Sequence, residues 1–136
     1  MNNIKIRLSK QIIKEEDLID IQKKFNIKFP QNYKNLIFKY NGGITEDSEF
    51  FKGLLSIKFG NNTVESIINT HQIVEKNIPK ELLPIAYDWS GNIITLSLKE
   101  GADSGKIYAF YFDVDRVEKI ADSLEELLGV KNIDEL

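Results

Sequence analysis

At 136 residues and 15.7 kDa the chain is long enough for one domain that buries roughly two thirds of its unfolded surface around a single core. It contains no cysteine, which excludes disulfides, thiolate catalysis and sulfur-built zinc sites and fits a reducing compartment, so the cytoplasm is the expected location. Eighteen basic against 21 acidic residues leave a net charge of -3, which argues mildly against nucleic-acid binding and is compatible with a basic partner.

Sixteen of the cations are lysine and two are arginine, beside abundant Ile and Asn, a pattern that points to an AT-rich genome more than to selection on the surface. The opening run Met1 to Arg7 has no apolar stretch of signal-peptide length, and no later window approaches the ~18 apolar residues of a membrane span. A soluble, unexported protein is therefore expected, with no membrane partner.

Ile4, Ile6 and Leu8 alternate with Lys5 and Arg7, which suggests a short strand or a frayed terminus. From Glu15 to Phe25, Leu18, Ile21, Gln22 and Phe25 fall at helical spacing. The acidic Glu15, Glu16 and Asp17 precede the basic Lys23 and Lys24, as the helix dipole favours. Asn26 suits a left-handed cap. Pro30 then fits the first turn of a second helix, with Tyr33, Leu36, Ile37 and Tyr40 on one face and Asn41-Gly42-Gly43 closing it.

Phe50 to Gly60 reads as one strand, or as two broken at Gly53. Asn62 with Glu65 forms a capping-box-like start for a third helix, whose apolar stripe is Val64, Ile67, Ile68, His71 and Val74, and Pro79 stops any extension.

Leu82 to Leu98 predicts a β-hairpin about the polar tip Asp88-Trp89-Ser90-Gly91-Asn92, where Gly91 can take positive φ without penalty. In its second arm Ile94, Leu96 and Leu98 share a face that should point at the core. A further strand over 106–113 follows the turn Lys99 to Gly105; Ile107, Ala109 and Tyr111 share one face and Tyr108, Phe110 and Phe112 the other, so both faces should be at least partly covered. Ser123 with Glu126 is a second capping box opening a last helix that Gly129 closes. The sum is an α+β domain: a mostly antiparallel sheet of five or six strands packed with about four helices.

Chemistry-bearing residues are few. His71 is the only histidine, so no multi-histidine metal motif can form, and a partly buried helix residue is its simpler reading. Asp113 and Asp115, brought near Asp88 if the two strands pair, could hold Mg²⁺ or Ca²⁺, but aspartates at a strand end more often bond local turn N–H groups. Ser90 lacks the G-x-S-x-G frame of a nucleophile elbow, and Gly42-Gly43 follows a helix instead of opening one, so neither acyl transfer nor phosphate binding is indicated. No catalytic residue, metal or cofactor is expected. Glu46, Asp47 and Glu49 form an acidic loop that is either a solvated connection or a recognition surface. Trp89, next to Asp88 at the hairpin tip, either folds back onto the sheet or stands out as a binding hot spot.

The span Phe29 to Gly43, FPQNYKNLIFKYNGG, resembles the signature of the SMI1/KNR4 superfamily, also called SUKH. LLPIAYDWSGNIITLSL (82–98) is similar to that family's central hairpin, GKIYAFYFDVD (105–115) to its next strand and IADSLEELL (120–128) to its last helix. Two positions depart from the pattern. Leu124, Leu127 and Leu128 stand where phenylalanines are common, and Trp89 is large for a tip that is often small and polar. The resemblance implies an immunity protein that binds and neutralises a cognate polymorphic bacterial toxin, often a nuclease, by stoichiometric protein contact. The candidate contacts are Glu46, Asp47, Glu49, Asp88 and Trp89. The alternatives are a regulatory or scaffolding module of the SMI1/KNR4 type unrelated to toxins and, further off, a small metal-dependent enzyme. As an inhibitor the chain would be a monomer or a weak homo-oligomer.

Overall fold

The computed structural model describes residues 4–46 and 48–136. Its centre is a six-stranded antiparallel meander in which sequence order is spatial order: β1 (Gly43–Ile44), β2 (Gly53–Leu54), β3 (Leu82–Tyr87), β4 (Ile93–Ser97), β5 (Ile107–Tyr111) and β6 (Arg116–Ala121). Four α-helices accompany it: α1 (Glu15–Phe25), α2 (Gln31–Lys39), α3 (Val64–Ile67) and α4 (Leu124–Leu128). The α+β architecture is as expected.

The first helix begins and ends where its sequence places it. The Asp17 carboxylate accepts the Lys14 N–H at 2.9 Å, Leu18 and Ile21 are buried, and Asn26 takes the left-handed conformation at φ 54°. Asp17 also accepts a bond from Lys58 Nζ at 2.9 Å. In α2 the proline stands one position earlier than expected. Pro30 is extended, at ψ 153°, and forms the cap of the helix instead of its first turn, its carbonyl accepting from Lys34 N at 3.0 Å. Tyr33, Leu36 and Ile37 are buried, and the Tyr33 ring meets Phe29 edge-on with centroids 5.1 Å apart.

Three expectations between residues 4 and 74 are corrected. Residues 4–10 form no strand but two isolated bridges, Arg7 to Ile44 and Lys10 to Asn41, because Leu8 turns the chain at φ 57° between them. The strand expected over 50–60 shrinks to β2. Beyond Leu54 the chain bends through Lys58 (φ 67°) and Gly60 (φ 102°), with Ser56 bridging in parallel to Thr63. Finally, Thr63 and not Asn62 caps α3, accepting from Ser66 N at 3.1 Å, while the Glu65 carboxylate is taken by Lys58 N at 2.8 Å. After Ile67 the helix widens into a π-helix over Ile68–Val74, bonding five residues back, as from Glu75 N to Thr70 O at 2.9 Å. This underwinding turns Val74 out of the expected stripe, leaving it 68% exposed.

The sheet buries both faces. One carries Leu83, Ile85, Ile94, Leu96, Ile107 and Ala109 into the main core, together with Leu124, Leu127 and Leu128 of α4. The other carries Leu82, Ile93 and Phe110 onto Ile78, with Tyr108 and Phe112 half-buried around them. The alternating positions of β4 are thus buried on both sides, as in a strand with layers above and below. Pro84 is tolerated inside β3 because the register shifts between Pro84 and Ala86. Ser123 caps α4 by accepting from the Glu126 N–H at 3.0 Å, the Glu126 carboxylate accepts from Asp122 N at 2.7 Å, and Gly129 closes the helix at φ 69°.

Candidate functional site

An antiparallel meander alternates its connections between two ends, so 45–46 with 48–52, 88–92 and 112–115 all lie at one end of the sheet. The hairpin tip is built by Asp88. Its Oδ1 accepts from Ser90 N at 2.9 Å and Asn92 N at 2.8 Å, its Oδ2 accepts from Asn92 Nδ2 at 3.1 Å, and Gly91 supplies φ 83°. Asn92 Oδ1 in turn accepts from Phe112 N at 3.3 Å, which ties this turn to the β5–β6 turn. With its own polar groups met inside the turn, the tip leaves Trp89 out in solvent, 59% exposed, with Lys52 Nζ 5.7 Å from the ring centroid.

Beside Trp89 opens a cleft of about 270 Å³ on the main-core side of the sheet. The buried Ile94 and Ala109 form its floor, and Phe50, Trp89, Tyr111 and Ile120 rise around it, with Glu49 at the rim. Phe50 is 45% exposed, whereas its neighbour Phe51 is wholly buried. Val114, in the adjoining turn, adds another exposed apolar side chain. Exposed aromatic and aliphatic groups ringed by charge are the composition of a protein-binding surface.

Of the five residues singled out by sequence, Glu49, Asp88 and Trp89 come together at this cleft. Glu46 is exposed and ion-paired with Arg7, so its charge is partly matched within the chain. Asp47 lies outside the described residues. Phe50, Tyr111 and Ile120 were not singled out. Phe50 was signalled only by the Phe50-Phe51 pair, of which an extended chain can bury one member, and Ile120 is the extra residue of a bulge in β6 that sequence does not announce.

Other chemistry is dispersed. His71 packs on Phe112 with centroids 4.7 Å apart and lies 3.2 Å from Glu75 and 3.3 Å from Asn77. Asp113 and Asp115 are exposed in the β5–β6 turn, and among the described residues no three His, Asp or Glu side chains gather to hold a metal ion. Among the described residues no helix is long and apolar enough to cross a membrane.

The sequence matches the SMI1/KNR4 family (SUKH-1) over residues 12–129. No curated protein sequence matches the chain. Among solved structures, the fold is similar to a crystal structure of a protein from Pseudomonas syringae pv. tomato, at 14% identity and a TM-score of 0.66, over 97% of this chain and 91% of the other.

Proposed function

Because the chain belongs to the SMI1/KNR4 family (SUKH-1), we propose that it acts by binding, as an immunity protein that neutralises a cognate bacterial toxin through stoichiometric protein contact. The observation that supports this most is the cleft at the end of the sheet, where Trp89 and Phe50 stand exposed on a turn and a loop held by a rigid frame. Leaving such groups in water opposes solubility, and a partner that covers them turns the same area into binding energy. Exposed acidic side chains lie at this end of the sheet, Glu49, Asp113, Asp115 and Glu46, the last ion-paired with Arg7, against the cations Lys52 and Arg116. That balance suits a basic partner such as a nuclease domain, and it steers encounter more than it holds the complex. The reading requires no metal, cofactor or nucleic acid, and it places the protein in the cytoplasm with the toxin domain it blocks.

The test is co-expression and pull-down with the C-terminal domain of the toxin encoded beside this gene. A one-to-one complex and restored growth are expected. Absence of binding to any neighbouring toxin domain, with capture of a host protein instead, would replace this reading with a scaffolding one.

A further inference from the structure

β6 is an edge strand: β5 pairs with one of its sides, and among the described residues no backbone hydrogen bond reaches the other. Natural edges are commonly blunted with charge of one sign, often lysine, so that a second edge is repelled. This edge carries alternating signs. Read along the strand it is Asp115-Arg116-Val117-Glu118-Lys119, and read in reverse about Val117 every charge falls opposite its complement. Arg116 meets Glu118, Glu118 meets Arg116, Val117 meets itself, and the flanking Asp115 and Lys119 meet each other. In an antiparallel pair opposite side chains stand ~5 Å apart, close enough for these charges to act.

We propose that two copies of this chain pair antiparallel along β6, across a two-fold axis at Val117, to join their six-stranded sheets into one. Register with β5 sets Arg116 opposite Tyr111 and Glu118 opposite Ala109, on one face, and Val117 opposite Phe110 on the other. Arg116 and Glu118 already approach within 3.3 Å in one copy, with both side chains more than half exposed, so each copy offers a plus and a minus in line. Pairing makes a four-charge cluster on that face and buries the two Val117 side chains, each 39% exposed, against one another on the other. Lys119 has a local partner, Asp122 at 2.8 Å, so the inner four charges carry the pairing.

The same edge limits itself. Asp115 is left-handed at φ 47° before the strand begins, and the register shifts at Ile120, so the straight portion is Arg116 to Lys119. So short an edge buries far less than the ~1,200 Å² of a stable interface, which predicts a reversible dimer with Kd on the order of 0.1 mM.

Sedimentation velocity on the full chain, from about 10 µM to 1 mM at low salt, reads this directly. The wild type should move from monomer to dimer across that range, and Arg116→Glu or Glu118→Arg alone should weaken association at least tenfold by setting like charges opposite. An equimolar mixture of the two variants should recover a one-to-one dimer, because two acids then face two bases. The double swap R116E/E118R in one chain should dimerise as the wild type does, which separates lost pairing from lost folding. A wild type that stays monomeric throughout would overturn the proposal, as would a dimer indifferent to both reversals or a mixture that fails to associate.

Discussion

The side chain of Asn41 and the backbone of Ile57, sixteen residues apart, exchange two hydrogen bonds: Ile57 N donates to Oδ1 at 2.7 Å and Nδ2 donates to Ile57 O at 2.9 Å. A third bond runs from Nδ2 to Gln11 O at 2.8 Å, and the side chain is wholly buried. One amide thus stitches the N-terminal arm to the bend after β2, doing for an irregular stretch what a strand ladder does elsewhere. Asn41→Ala should strand the two buried backbone groups of Ile57, free the part-buried Gln11 carbonyl and cost about 3 kcal/mol, measured by urea denaturation. Asn41→Asp keeps the acceptor and loses the donors, so it too should destabilise strongly; wild-type stability in either variant would deny the clasp its role.

Next to that clasp the chain passes through Gly43 at φ 126°, where an added Cβ would lie 2.6 Å from Ile6 Cγ2 and 2.8 Å from Arg7 O. Gly91 at φ 83° would carry its Cβ into open space. Gly43→Ala should therefore cost at least about 2 kcal/mol, backbone strain plus collision, whereas Gly91→Ala should cost only the strain, about 1 kcal/mol. Equal melting shifts for the two would contradict this ordering.

The backbone N–H of Lys14, and after it the Lys58 ammonium, hold the Asp17 carboxyl below its usual pKa of 3.8. A lowered folded-state pKa contributes stability that is complete above the unfolded pKa and is lost as pH falls through the folded one. The wild-type advantage over Asp17→Asn should accordingly be flat above about pH 5 and shrink as acid takes the solution below the usual carboxylate range. Thermal melts of both proteins across pH 2 to 7 check the sign; an advantage that grows in acid would reverse it.

Trp89→Ala should weaken binding to the cognate partner by roughly 30-fold, a loss of about 2 kcal/mol, while leaving the melting temperature unchanged. Glu49→Lys should mainly slow association, with the difference from wild type fading as salt rises. Kinetic binding at two ionic strengths distinguishes the roles, and unchanged rates for both variants would move the interface to another face.

Elements built by local rules were legible from the chain. Asn26, Ser123 with Glu126, and the Asp88 to Asn92 tip satisfy their own backbone groups within a few residues, so composition alone locates them. What escaped was set by distant partners. β6 shows exposed side chains in an edge position, and its existence rests on β5 rather than on any apolar alternation of its own. The two-residue β1 and β2 are defined by pairing with each other and with β3, in stretches whose sequence carries glycines and a charged loop. The cleft was half visible for the same reason. Trp89 announced itself at a turn, whereas Phe50, Tyr111 and Ile120 become neighbours only once three connections meet at one end.

Because Asp88 and Asn92 meet the turn's polar needs among themselves, the hydrogen bonds that hold the turn make no use of the side chain at residue 89. Substitutions there leave those bonds intact. Under the binding role proposed above, such a position can change its side chain while the turn keeps its own bonds, so a matching change to an altered partner surface needs no compensating second one.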